Sequence, residues 1–416
     1  MIRIPGFGRR LWVVVVTPLI VLLGGAGEPR AQALSCTGLP APGAVTSNPI
    51  SCKVNCSAGG TVASAVAVKP QTTNTLTITI NGTCVESVDH VPTDVTLQAG
   101  PSGATLQAPS SSTDPVLGIS GAGVTLNNLT ISGGVNALLG HPRAIFTGNN
   151  LLVEGASNAN VVLNHAVVTL NNSTIQNSAG DGIDANYGAT VFLNGGAVQQ
   201  NAGTAVSASF DGSADLSGGA VLQKNGVAGA GANKGGAVNI SAATVTNNAF
   251  SSAGIAGINV SGGQVTVQGS SSVVSSNNVN GIAVYDNGSI VVENGAMAAN
   301  NSGNGLFEFQ GGYAKVRQGA IVQGNSANGI AVRNGNVQVG DGDGPATIKN
   351  NKQNGIFMRT NSVAVLANSL NQIINNSGWG LLCTGAPSNP LIYSPIGTFG
   401  TVSGNGAGQI SCNVSP

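Results

Sequence analysis

Charge is scarce in this sequence. Only 7% of its 416 residues are Asp, Glu, Lys or Arg, 15 of each sign, and the formal net charge is zero. An average soluble domain carries roughly 25% charged residues. No basic run or patch exists, so the chain lacks the phosphate-neutralising surface on which nucleic-acid binding depends, and nucleic acid is excluded as a partner. Cys–His metal clusters are missing too: Cys36, Cys52, Cys56, Cys84, Cys383 and Cys412 have no histidine beside them, while His90, His141 and His165 are scattered. Disorder is excluded by the other half of the composition, because 41% of residues are apolar and disordered chains combine few apolar residues with high net charge. What takes the place of charge is Gly, 62 residues of it, and neutral polar side chains such as Asn, Ser, Thr and Gln.

Residues 1–33 read as a secretory signal: Arg3, Arg9 and Arg10, then an apolar stretch from Leu11 to Gly27, then the small-x-small site Ala31-Gln32-Ala33. The stretch is short for a membrane span and contains Pro18. Its removal leaves 11 basic and 14 acidic residues, no membrane span in the mature chain, and a secreted, periplasmic or cell-surface location. In an exported chain an even cysteine count implies disulfides. Cys383 and Cys412 are the expected C-terminal pair, worth roughly 3 to 4 kcal/mol of chain entropy. The four N-terminal cysteines allow three pairings, among which the sequence does not choose.

The strongest signal is self-similarity. The segments Asn280-Gly281-Ile282-Ala283-Val284, Asn304-Gly305-Leu306, Asn328-Gly329-Ile330, Asn354-Gly355-Ile356 and Trp379-Gly380-Leu381 place their glycines 24, 24, 26 and 25 residues apart. Asn277, Asn301, Asn325, Asn351 and Asn376 each stand four residues before one of them. Within a repeat the apolar residues alternate in three short runs separated by Gly, Asn and Asp, which is the pattern of β-strands and turns. Three short strands per 21–26 residues predict an all-β, single-stranded, right-handed parallel β-helix, with coils stacked about 4.8 Å apart and like residues over like. Corner asparagines are expected to bond one another along the stack. The expected organisation is a Cys-containing N-terminal cap at 34–70, the β-helix at 71–382 and a C-terminal cap at 383–416.

These coils, with the strand Leu76-Thr77-Ile78-Thr79-Ile80 that leads into them, resemble the right-handed parallel β-helix repeats of the pectin-lyase-like superfamily. That resemblance implies a fold shared by pectate lyases, polygalacturonases, alginate epimerases, phage tailspikes and bacterial surface proteins, and it does not choose among their activities. The Asp pairs and Gly-His-Gly run of polygalacturonases are absent, as is the Asp-Pro-His-Asp run of alginate epimerases. The clustered carboxylates with which pectate lyases hold Ca²⁺ have no counterpart either.

Candidate chemistry is therefore thin. A glycoside hydrolase needs two carboxyls across the scissile bond, and Asp181 with Asp184 is the nearest approach, although Asp181 also occupies a position that other coils give to a corner Asn. Asp341 and Asp343 lie in a Gly-rich insertion that could offer oxygens to Ca²⁺, but such an ion takes six to eight oxygens, and a solvent-facing turn is expected. No other cofactor is implied. His141-Pro142-Arg143 reads as a basic loop. On the outward face of the first strand, Tyr285, Phe309, Arg333 and Arg359 are expected to form a column suited to sugar rings and their carboxylates or sulfates. In that register Glu308 points inward, which is costly unless it is paired; a bulge would bury Phe307 and Phe309 instead. The chain is thus expected to bind or act on polysaccharide along an elongated face. The alternatives are an adhesive surface protein without enzymatic activity and a polysaccharide lyase or epimerase.

Overall fold

A computed structural model describes residues 32–39, 49–69, 74–110, 112–385, 390–395, 399–412 and 414–415. All but the last two residues of the expected signal segment lie outside them. The short alternating runs form strands that pair in parallel with their counterparts one coil away, making a right-handed parallel β-solenoid of about 14 turns. Each coil contributes three strands. The first kind forms a 14-stranded sheet from Val88–Val91 to Gly408–Ser411. The second and third kinds form two further ladders, joined where the long strands Leu76–Val85 and Val95–Gln107 pair with each other through both.

Alternation decides which side chains go in. Along Gln264–Gln268, Val265 and Val267 are buried while their neighbours are not. In the first sheet Ile282, Leu306, Ile330, Ile356 and Leu381 stand in register, and all five are wholly buried. Burying one such side chain stabilises the fold by roughly 1.5–3 kcal/mol.

Between the third and first strands the corner asparagines form a file from Asn201 through Asn225, Asn248, Asn277, Asn301, Asn325, Asn351 and Asn376 to Asn405, all buried. Each amide oxygen accepts twice from the preceding coil: Asn325 Oδ1 takes both the backbone N–H and the Nδ2 of Asn301, each at 3.0 Å. A second file, Asn280, Asn304, Asn328 and Asn354, runs with the opposite polarity, since Asn304 donates back to Asn280 Oδ1 from its backbone N at 3.0 Å and from Nδ2 at 2.9 Å. These bonds satisfy corner groups that stacking removes from water.

The ladders extend beyond residues 71–382 in both directions. Ile50–Asn55 already pairs in parallel with Leu76–Asn81. The short helix Val62–Ala67 lies against the N-terminal coils with Val62 and Ala65 buried. Its first N–H groups donate to Glu86, from Val62 at 2.7 Å and Ala63 at 3.0 Å, a favourable place for a carboxylate. The disulfides are Cys36–Cys52, Cys56–Cys84 and Cys383–Cys412. At the C-terminal end, Leu391–Tyr393, Thr401–Ser403 and Gly408–Ser411 continue the three ladders. Because Cys383 and Cys412 close a loop of 29 residues, replacing both by Ser is expected to weaken the last coil by roughly 3 kcal/mol. Faster hydrogen exchange confined to residues 379–412 would show it; unchanged exchange there would contradict it.

Candidate functional site

The first sheet turns one side to the core and one outward. On the outward side Ser261 pairs with Tyr285, Phe309 with Arg333, and Arg333 with Arg359. The Tyr285 and Phe309 rings stack with centroids 4.8 Å apart and planes 12° apart. Phe307, two residues earlier on the same strand, stacks on Phe309 at 4.8 Å as well. Phe307 stands between Ala283 and Ala331 in the neighbouring coils, whose small side chains leave open a cleft of about 460 Å³ lined by Phe307, Phe309, Gln310, Arg333 and Asn334. One coil on, the Arg359 guanidinium lies over the Phe357 ring, 5.3 Å from its centroid. Among the described residues neither Arg333 nor Arg359 pairs with a carboxylate; the ion pairs lie elsewhere. Burial, reinforced by Asp286, pushes the Tyr285 phenol up, so it stays a hydroxyl.

No bulge buries the phenylalanines. Glu308 points inward instead, fully buried, in a column with Val284, Val332, Met358 and Cys383. Its Oε1 accepts the backbone N–H of Asn336, and its Oε2 has no partner. Space for the carboxyl comes from Gly335, where a Cβ would lie 1.9 Å from Oε1. Burial pushes its pKa up to about 8, against the lowering effect of the Asn336 bond. At neutral pH it is an uncharged acid.

Asp181 takes a corner position. Its Oδ1 accepts the N–H of Thr204 at 2.6 Å, as Asn280 Oδ1 accepts the N–H of Asn304. Burial pushes it up to about 6. Asp184 faces outward between Val162 and Ser207 and is likewise raised by burial. Those two neighbours bring it no further acid or base.

The Asp341–Asp343 turn is only in part the solvent-facing turn expected from the sequence: Gly342 and Asp343 are exposed, and Asp341 is not. Asp341 is buried and bonds Lys315 Nζ at 2.7 Å and Arg317 Nη1 at 2.8 Å; Arg317 also holds Asp343 at 2.8 Å and Glu293 at 2.7 Å. Burial pushes Asp341 up, but Lys315 and Arg317 outweigh it and hold the carboxyl at about 2. These oxygens face an ammonium and a guanidinium, which is no setting for Ca²⁺. The partners lie 24 to 26 residues upstream, one coil away, and only the register brings them together.

A second aromatic group escaped the sequence reading. At the turn that follows each strand of the first sheet, successive coils place His165, Tyr187 and Phe210. The His165 and Tyr187 rings lie 5.9 Å apart, those of Tyr187 and Phe210 5.1 Å apart, with planes within 12° and 16° of parallel. Lys234, next in the file, sits over Phe210 at 4.5 Å. The signal was legible as aromatic residues following Asn164, Asn186 and Ser209, but the repeat is blurred near residue 205. His141 lies with Nε2 3.2 Å from the Asp89 carbonyl oxygen, and Arg143 occupies a left-handed turn at φ 72°.

No protein-family model and no curated protein sequence matches the chain. Among solved structures it is similar in fold to the A-module of mannuronan C-5 epimerase AlgE6 of Azotobacter vinelandii, at 12% identity and TM-score 0.46, over 85% of this chain and 93% of that one. The AlgE4 A-module of the same organism is similar at 11% identity and TM-score 0.37, over 82% and 86%. Pectate lyase Pel9A is similar at 12% identity and TM-score 0.25, over 86% and 72%. What the chain has in common with them is the right-handed parallel β-helix.

Proposed function

We propose that this protein binds an anionic polysaccharide on the outward face of its first sheet, at Tyr285, Phe309, Arg333 and Arg359. The observation that carries the reading is the in-register pair Arg333–Arg359 beside an open aromatic cleft. Like charges directly opposite on neighbouring strands are destabilising. A chain with only 15 basic residues places two of them together without a carboxylate to relieve them. A uronate or sulfate would supply that relief through bidentate bonds, while its ring lies against Phe307 and Phe309. Three disulfides support an oxidising compartment, and with it the reading of residues 1–33 as a secretory signal and of the protein as secreted, periplasmic or displayed at the cell surface.

The double variant Arg333→Ala/Arg359→Ala tests this. Each lost charge-assisted bond is worth about 1.5–3 kcal/mol, so binding to alginate, polygalacturonate or chondroitin sulfate in affinity electrophoresis should fall at least tenfold. Wild-type binding should weaken with salt. Unchanged binding in the variant overturns the site. Release of unsaturated product, followed by ultraviolet absorbance, would make the protein a lyase; retention on cells without glycan affinity would make it an adhesin.

A further inference from the structure

His165, Tyr187 and Phe210 all have left-handed backbones, at φ 51°, 54° and 51°. For a bulky residue that conformation costs roughly 1–2 kcal/mol. Further along the same file Lys234, Gly262, Asp286, Gln310 and Asn334 are also at positive φ; of these residue types Gly, Asp and Asn tolerate it best, and none of the five is aromatic. The two stacked pairs return about 1–3 kcal/mol in all, against about 3–6 kcal/mol for three left-handed backbones, so the rings cost more than they contribute. Stability gives no reason to prefer them over Asn. Strain of this kind, held at consecutive positions, points to function.

The geometry suits a sugar. The centroids are 5.1 and 5.9 Å apart, wider than the roughly 3.5 Å of van der Waals contact between carbon atoms and close to the rise of one coil. The rings form an exposed staircase of near-parallel planes, one to a coil; Tyr187 is 50% exposed and Phe210 39%. Lys234 stands at one end. Between the staircase and the Arg333 cleft the outward positions are small or polar: Ser207, Ser209, Gly231 and Asn233. Midway, the polar Asn259 stands in the same outward column, between Gly231 and Ala283.

We propose that His165, Tyr187 and Phe210 form a second carbohydrate platform, and that one polysaccharide chain lies along the solenoid axis from there to Arg359. This rests on the reading of Arg333 and Arg359 as a glycan site and extends it: the ligand is an extended polymer. From Tyr187 to Arg359 is seven coil steps, or roughly 34 Å. Ring faces stack on the staircase, and acidic groups meet the guanidiniums.

The test compares wild type, Tyr187→Asn/Phe210→Asn and Arg333→Ala/Arg359→Ala against long alginate and polygalacturonate and against their trisaccharides. Asn is at home in the turn, so the aromatic variant keeps the fold, checked by its unfolding temperature. Wild type should prefer polymer to trisaccharide by at least about tenfold, as two linked sites do, and the Tyr187/Phe210 variant should lose that preference while keeping trisaccharide affinity. Wild-type polymer affinity in that variant overturns the platform and leaves the arginine site standing. Loss of polymer there, with full retention in the arginine variant, leaves the platform and removes the arginine site. No binding of wild type to either polysaccharide overturns both.

Discussion

Glu308→Gln is expected to be more stable than wild type at pH 9 by a few kcal/mol and no more stable than wild type near pH 4.5. The sign follows from where the proton sits. The Glu308 carboxyl titrates near its ordinary 4.5 in the unfolded chain and at about 8 in the folded one. Between those values the folded state holds a proton that the unfolded state has lost, so stability falls as pH rises. The contribution is fully present below pH 4.5, declines through the interval and is flat above pH 8. At about 1.4 kcal/mol per unit the full span is on the order of 5 kcal/mol. Gln has the same shape and keeps the acceptor for the Asn336 N–H, but it cannot ionise. Urea midpoints and hydrogen exchange around residues 306–336, measured at pH 4.5, 7 and 9, give the comparison. Parallel pH profiles for the two proteins would show that Glu308 is not held protonated.

Asn301→Ala should be among the most damaging single substitutions in the chain. Asn301 Oδ1 accepts the backbone N–H of Asn277 at 3.1 Å and its Nδ2 at 3.0 Å. Without it, two buried donors lose their acceptor, at about 1–3 kcal/mol each. The donations of Asn301 itself to Val274 and Asn325 also vanish. A total of about 3–6 kcal/mol follows. Asn304→Ala removes a residue of the other file that is itself only partly buried, so water can reach the vacated corner, and it should cost less, about 1–2 kcal/mol. Equal costs at the two positions would mean that burial does not set the strength of the files.

The stack was legible because its two marks, corner Asn and Gly-Ile, share one period and answer to separate causes. Inward Ile and Leu serve burial, and Asn serves the corner donors. The outward column of Tyr285, Phe309, Arg333 and Arg359 followed by counting from the corner, since strand alternation carries phase reliably over five residues. Phase carries less well across turns of changing length, and there the reading failed. Asp341 could be joined to Lys315 and Arg317 only with an assigned register, because its coil is longer than its neighbours. The staircase of His165, Tyr187 and Phe210 lies where the Gly-Ile mark fades. The pairing of Cys36 with Cys52 depends on the antiparallel pairing of Leu34–Thr37 with Ile50–Asn55, which repeat counting does not reveal.

The opposed polarity of the two asparagine files bears on how such a chain is assembled. A half-built stack ending at Asn301 would present two unclaimed hydrogens from one file and, at Asn304, an unclaimed carbonyl from the other. The next segment fits only if it brings the complementary groups to both corners at once, so each finished layer proofreads its successor. Beyond the asparagines other groups take over: Gln409 Oε1 accepts from Asn405 Nδ2 at 2.8 Å, and the Trp379 N–H donates to Asn354 Oδ1. Both files thus meet, at their C-terminal ends, a side-chain or backbone group of the same molecule that is not another Asn of the file, so the proofreading stops where the repeat of corner asparagines does.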